Sequence, residues 1–321
     1  AQEEISVRVA EADLVEVGGQ KFSLEGAKAQ VGGSNDGEAL AKRAAELAAL
    51  AGLKNVSTDT REDPAGKGPA KFIRTVRGTV DPKTPYAVSA IDTKRTTSRP
   101  TPPFITSTLQ QAGVNRLGMS ARRVMGAAQA LYQGVEIPGE GPVALITYMR
   151  TDSTHLSREA IEMVREFIPK QYGPQYLPEK PNFFTSSNKD AQEAHEAIRP
   201  GNLSYTPAKL RTILKPELFK LYELIFKRFV ACQMTPAQWD ATAVTIVGGK
   251  DSKAPLTFRA GGRILVFDGF YKVAGVPQSA EEQTLPALKA QQPVAPVGLS
   301  PRQKFSAAPP RRAGGRREKE S

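Results

Sequence analysis

Cysteine is almost missing from this chain. Its 321 residues contain one, Cys232, so no intrachain disulfide can form and no thiolate-based zinc framework is available. That usage fits a reducing cytosol. Long apolar runs are missing too: no uncharged stretch approaches the roughly 18 residues that a membrane span needs. The first residues, Ala1-Gln-Glu-Glu-Ile5, are acidic where a signal peptide is basic and then apolar. The absence of an initiator Met reads as a fragment or a processed chain. Acidic residues are also missing from one long window. Residues 93–135 contain Lys94, Arg95, Arg99, Arg116, Arg122 and Arg123 but no Asp or Glu, so all the charge there has one sign.

What is present points to a folded, basic protein. The chain is long enough for two domains, and 40% hydrophobic content supplies their cores. Lys and Arg number 44 against 33 Asp and Glu, a formal charge of +11 with a pI near 9.7. Such a balance favours an anionic partner such as nucleic acid.

Val7, Val9, Leu14 and Val17, followed by Gly18-Gly19, predict strands and a turn. Gly37 to Leu53 carries good helix formers with Leu40, Ala44, Leu47 and Leu50 on one face. Thr58 to Gly68 reads as a polar loop, and Thr79 to Asp92 as strand. Arg99-Pro-Thr-Pro-Pro103 is a stiff connector. Two helices follow, a short one over Thr106 to Ala112 and one capped by Ser120, in which Val124, Ala128, Leu131 and Tyr132 share a face. With Gly118 between them they have the order of a helix-turn-helix unit. Val143 to Arg150 reads as a buried strand, Ser157 to Phe167 as a capped amphipathic helix, and Asp190-Ala-Gln-Glu193 as a helix start that Pro200 stops. Leu218 to Ala231 is helical, with Leu221, Leu224, Ile225 and Phe229 as core candidates. Ala241–Val247, Leu256–Ala260 and Arg263–Phe267 read as strands, the last two joined by a Gly261-Gly262 hairpin. From Ala290 the chain is low in complexity, and residues 311–321 carry a local charge of +3, a composition that favours disorder. The expected organisation is α+β: a β-rich domain from residues 1–104 and 233–300, a helical module over 105–232 inserted into it, and a basic tail at 301–321.

One constellation carries chemistry. In Ala144-Leu-Ile-Thr-Tyr-Met-Arg150 side chains alternate, so Tyr148 and Arg150 emerge on one face, and Asp152 continues it if the strand extends. A phenol with its usual pKa of about 10 is a weak nucleophile at neutral pH. A neighbouring guanidinium stabilises phenolate and binds the two non-bridging oxygens of a phosphate. A Tyr beside an Arg is common, and alone it specifies nothing. On a helix His195 and Arg199, four apart, share a face and pair a proton-moving group with a fixed cation. The run His195-Glu-Ala-Ile-Arg199 fails as a zinc-protease motif, because the second histidine is an arginine. His155 reads as a surface turn residue.

Pro103-Phe-Ile-Thr-Ser-Thr-Leu-Gln-Gln111, Leu117-Gly-Met-Ser-Ala121, Ile146-Thr-Tyr-Met-Arg-Thr-Asp-Ser153, Gln192-Glu-Ala-His-Glu-Ala-Ile-Arg-Pro200, Phe229-Val-Ala-Cys-Gln-Met-Thr-Pro236 and Gly262-Arg-Ile-Leu-Val-Phe-Asp-Gly-Phe270 resemble, in this order, blocks of the bacterial type IA DNA topoisomerases. The likeness runs from about residue 80 to 310. It implies a β-rich arch with an inserted helical, winged-helix-like domain that carries the active-site tyrosine. It implies that Tyr148 attacks a single-stranded DNA phosphodiester and becomes linked to the 5′ phosphate, that the other strand passes through the gap, and that religation relaxes negative supercoils without ATP. By the same resemblance Arg150 positions the phosphate, His195 assists by hydrogen bonding, and Asp152 and Arg199 support the site. Lys94, Arg95, Arg99, Arg116, Arg122 and Arg123 are the DNA-binding candidates. The family works on DNA in the bacterial cytoplasm and nucleoid and uses Mg²⁺ held by a glutamate and an Asp-x-Asp-x-Asp cluster. No Asp-x-Asp-x-Asp occurs here, so the expectation is an internal fragment without metal ligands that acts with the remainder of the same enzyme. A tyrosine recombinase fits less well, because its tyrosine follows its His-x-x-Arg. A non-catalytic DNA-binding module is the competing reading, since the basic window binds phosphates whether or not Tyr148 reacts.

Overall fold

A computed structural model describes residues 10–22, 36–64, 72–184, 196–277 and 285–299. Val7, Val9, the glycine-rich end of the Thr58–Gly68 segment, the helix start at Asp190 and the basic tail lie outside them. The chain divides into two compact units, one of Ala1–Thr96, Asp240–Ile264 and Gln278–Ser306, the other of Thr97–Trp239, Leu265–Pro277 and Ala307–Ser321.

The first unit is built on a sheet. β1 (Asp13–Val17) turns through Gly18 and Gly19, with φ of 59° and 76°, into β2 (Gln20–Lys21). Two successive left-handed residues make the tight turn that glycine adopts without steric cost. α1 (Asp36–Leu50) follows, then β3 (Leu53–Glu62), β4 (Phe72–Val80) and β5 (Tyr86–Ser98). Later come β8 (Ala237–Gly248), β9 (Leu256–Phe267) and β10 (Pro293–Val294), and the six-stranded order is β10-β5-β8-β9-β1-β2. β9 buries Leu256 and Ala260 on one face and exposes Arg259 between them, the two-residue period of a strand. Leu47 and Ala51 close over Leu256, and Val88, Val244 and Ala260 form a second cluster.

Three expectations fail in this unit. The segment expected as a loop from Thr58 is strand as far as Glu62, paired with β4 from Leu53↔Val80 to Glu62↔Phe72. Cross-strand pairing there outweighs a polar composition, since a strand exposed on both faces, as β3 is from Ser57 to Glu62, needs no apolar alternation. The strand expected over 79–92 is broken at Asp81–Pro85, where Asp81 accepts from the Lys83 N–H. Gly261-Gly262 makes no hairpin: neither has positive φ, and β9 runs straight through them.

The second unit is helical. α2 (Thr106–Leu117) and α3 (Ala121–Gln133) are joined at Gly118, whose φ of 65° ends α2, and the Ser120 hydroxyl accepts from the Arg123 N–H to start α3. α2 runs five residues past the expected Ala112. A two-stranded hairpin, β6 (Val135–Ile137) and β7 (Gly141–Val143), comes next. Then follow α4 (Arg158–Tyr172), a 3₁₀ turn at Pro174–Tyr176, the short α5 (Pro207–Leu210), α6 (Pro216–Cys232) and α7 (Tyr271–Ala274). α6 is the central helix. Leu221, Tyr222, Ile225, Phe226, Phe229 and Val230 are all buried, and each such side chain contributes about 1.5–3 kcal/mol. Gly113 of α2 faces Val124 of α3 so closely that a Cβ there would collide with the valine.

The Pro-rich connector and the segment after α6 are both held by bonds inside this unit. Arg228 donates to Thr101 Oγ1 at 2.5 Å and lies 4.4 Å over the Phe104 ring. Gln233 is fully buried and exchanges bonds with the backbone of Asn182, at 2.8 and 3.1 Å. Three of the boundaries between the units fall within β5, β8 and β9.

Candidate active site

Tyr148 does not lie on a regular strand. After β7 the backbone makes one isolated bridge, Ile146 with Pro200, and is otherwise irregular. The expected strand over 143–150 is therefore a segment held by individual bonds. The Leu145 N–H reaches Leu131 O at 2.8 Å, and the Gly201 N–H reaches Leu145 O at 3.0 Å. The Thr147 N–H bonds to Arg199 O at 2.9 Å, its hydroxyl donates to Ala197 O at 2.7 Å, and it accepts the Arg199 N–H at 3.0 Å. On the other side of Tyr148, Thr106 Oγ1 lies 2.8 Å from Met149 O and 2.9 Å from the Thr151 N–H. Two threonines thus brace the backbone on both flanks of Tyr148. Neither stood out in the sequence, because a threonine that bonds backbone resembles any other threonine.

The burial of successive side chains alternates through this segment. Met149, Thr151 and Ser153 are 1%, 8% and 1% exposed, while Tyr148, Arg150 and Asp152 are all exposed. Met149 anchors the row in the core, and the three polar side chains stand on the solvent side. Among the described residues none of the three has a hydrogen-bond or ion-pair partner. The ring of Tyr148 has one aromatic neighbour, Tyr132, with centroids 5.3 Å apart and planes at 64°. Tyr132 shares the α3 face of Val124, Ala128 and Leu131 but does not join the core with them. It is 38% exposed at the end of α3, while Val124, Ala128 and Leu131 on the same face are fully buried.

Residues 196–200 are extended, bridging Phe104 and Ile146 through Ile198 and Pro200, so the expected helix does not reach Pro200. Bonds to two other segments replace helical ones there: the Ile198 N–H donates to Phe104 O, and the Ala197 N–H to His155 O, each at 2.8 Å. His195 lies outside the described residues, and a face shared with Arg199 has no support in the extended backbone that follows. Arg199 is engaged. Its Nε and Nη2 donate to the two oxygens of Glu196 at 2.6 and 2.8 Å, and Nη1 to Pro200 O at 2.9 Å. Glu196 also accepts the Ser157 N–H at 2.9 Å. Burial pushes the Glu196 carboxyl up, but the Arg199 and Ser157 bonds outweigh it and hold the group below the usual carboxylate range.

The basic candidates are dispersed. Lys94 and Arg95 belong to the first unit, and Arg99, Arg116, Arg122 and Arg123 to the second. All six are exposed. Contacts return some of the acid that the 93–135 window lacks: across the fold Arg95 forks onto Asp240 at 2.6 and 3.3 Å and Arg123 meets Glu217 at 3.0 Å, and locally Lys94 meets Asp92 at 3.0 Å. Among the described residues no three His, Cys, Asp or Glu side chains come together as metal ligands. Mg²⁺ demands several hard oxygen donors, and the described residues do not fit it. No described helix is long and apolar enough to cross a membrane.

The family model described as DNA topoisomerase matches residues 69–315. The DNA topoisomerase 1 of Rickettsia felis is 46% identical over 230 residues, which is 70% of this chain and 29% of that protein. The DNA topoisomerase 1 of Haemophilus influenzae is 44% identical over 227 residues, 70% of this chain and 24% of its own length. Full-length topoisomerase I from Thermotoga maritima superimposes with a TM-score of 0.56 at 36% identity, covering 66% of this chain and 33% of that one. The chain thus spans about a quarter to a third of these relatives. Since the matched region takes in well over half of the chain, including Tyr148 and both threonine braces, the chain belongs to the bacterial type IA DNA topoisomerase family.

Proposed function

We propose that Tyr148 is the nucleophile of a type IA strand-cleavage reaction. Its phenolic oxygen attacks a phosphodiester of single-stranded DNA, forming a Tyr148–5′-phosphate bond as the bond to the 3′ oxygen breaks. The phenol gives up its proton and the departing 3′ oxygen takes one. Attack by that 3′-hydroxyl reverses the step, so the energy of the phosphodiester is kept in the phosphotyrosine link and no ATP is required. Passage of the second strand before resealing relaxes negative supercoils. The single observation that carries this reading is the exposed Tyr148–Arg150 pair on a braced backbone. Arg150, with no protein partner among the described residues, is free to take the two non-bridging oxygens of the phosphate. Asp152 supports the same row, Arg199 supports it indirectly through Glu196, and His195 assists by hydrogen bonding. Lys94, Arg95, Arg99, Arg116, Arg122 and Arg123 hold the DNA backbone. The family's Mg²⁺ is supplied by residues other than those described, and no step here is routed through it.

The order α2, Gly118, α3, then the β6–β7 hairpin is that of a winged helix, and it supports reading the helical module at 105–232 as a gate-like domain set into a β-rich arch made of 1–104 and 233–300. The test uses a single strand labelled at its 3′ end, because the fragment retained by the protein is the one with the new 5′ phosphate. The expected result is label covalently attached to the chain and lost in Tyr148→Phe. Label that stays on the free strand, with binding intact, assigns the chain a DNA-binding role instead.

A further inference from the structure

We infer that Tyr132 is a positioning residue that holds the ring of Tyr148 in one orientation for attack. The inference rests on the reading of Tyr148 as nucleophile. The backbone from Leu145 to Thr151 is fixed by Leu131, Thr106, Ala197 and Arg199, so the freedom left at the site lies in the two side-chain torsions of Tyr148. That ring is 45% exposed, and nothing among the described residues bonds its hydroxyl. A half-exposed tyrosine with no tether samples several rotamers. Tyr132 meets it edge to face at 5.3 Å and 64°, a favourable aromatic geometry.

Tyr132 is itself well placed to act as a stop. It occupies the last turn of α3, one residue after Leu131, whose side chain is fully buried and whose carbonyl receives the Leu145 N–H at 2.8 Å. The same helix end therefore anchors the backbone leading to Tyr148 and carries the ring that meets it. Being 38% exposed, Tyr132 adds little to the core, so its contact with Tyr148 is the interaction it contributes.

An aromatic pair of this kind shifts a rotamer population by about two- to tenfold. Tyr132→Leu is expected to slow single-turnover adduct formation on a 3′-labelled single strand by that factor, with the strand's Kd and the melting temperature unchanged. Tyr132→Phe, which keeps the ring, is expected to restore the wild-type rate. Unchanged kinetics in Tyr132→Leu, or a Phe variant as slow as the Leu variant, would overturn the inference. A second measurement does not depend on cleavage. The NMR ring resonances of Tyr148 are expected to be displaced by the neighbouring ring in the wild type and in Tyr132→Phe, and to move to averaged positions in Tyr132→Leu. Resonances indifferent to Tyr132→Leu would sink the inference whatever the adduct assay gives. Absence of any adduct in the wild type, with the ring coupling intact, counts against Tyr148 as nucleophile and leaves the restraint standing.

Discussion

Glu196→Ala would remove the acceptor for two guanidinium bonds and for the Ser157 N–H, leaving an Arg199 side chain that is only 12% exposed without its counter-ion. Bonds to a charged group contribute about 1.5–3 kcal/mol each, and breaking a buried pair costs about 3–5 kcal/mol. Glu196 is 23% exposed, so water recovers part of this, and a loss of about 2–4 kcal/mol is expected. For a unit of this size that lowers the thermal midpoint by roughly 5–15 °C. Circular dichroism melts of Glu196→Ala, Arg199→Met and the double variant measure it, with an expected coupling of about 1.5–3 kcal/mol. The pH dependence has a definite sign. Because the native carboxyl is held below its ordinary 4.5, its contribution is complete above that value and is lost as pH falls through the lower native one. The stability gap between wild type and Glu196→Gln should therefore be constant near neutrality and close in acid. A coupling under about 0.5 kcal/mol, or a gap that persists unchanged at about pH 3, would refute the clamp.

Gly113→Ala is expected to cost about 1–3 kcal/mol, because the new methyl meets Val124, and Val124→Ala should recover part of it; denaturant midpoints at constant m-value check both. Cys232 is fully buried and its thiol is pushed up to about 12 by that burial, so a thiol reagent should label it only as the chain unfolds, and rapid labelling of the native protein would contradict the packing. Arg122 has no partner among the described residues, whereas Arg95 is forked onto Asp240. Arg122→Gln should flatten the salt dependence of single-strand binding by about 0.7 in log–log slope, and Arg95→Gln by less. Equal slopes would show that the Asp240 fork does not withhold Arg95 from the strand.

Helices were the most legible part of the sequence. α3 and α6 bury most of the faces that their spacing predicts, with Tyr132 exposed and Leu224 only partly buried, α4 buries an apolar face, and Ser120 and Ser157 cap α3 and α4 through the backbone N–H three residues on. These are local effects, settled within a turn or two of chain. Strands were legible only where a core lies on one side. β3 was missed because its residues from Ser57 to Glu62 are all exposed and leave no apolar period to read, and the break at Asp81 because a local side-chain bond to the Lys83 N–H interrupts a strand-like run. The Gly261-Gly262 error has the same root, since glycine permits a turn without requiring one.

Residue types and their order were enough to single out Tyr148 and Arg150 and to reveal the family, because a run of matching blocks survives in the linear text. Tertiary structure decided what surrounds them. Thr106 and Glu196 reach the site from segments about 40 to 50 residues away in the chain, and Thr147 bonds across a similar gap to Ala197. The carboxylates that answer Arg95 and Arg123 lie 145 and 94 residues away. Hydrogen bonds and ion pairs act over a few ångströms and depend on spatial rather than sequential distance. For that reason the sequence could single out Tyr148, and only the fold could reveal the threonines that brace it and the tyrosine packed against it.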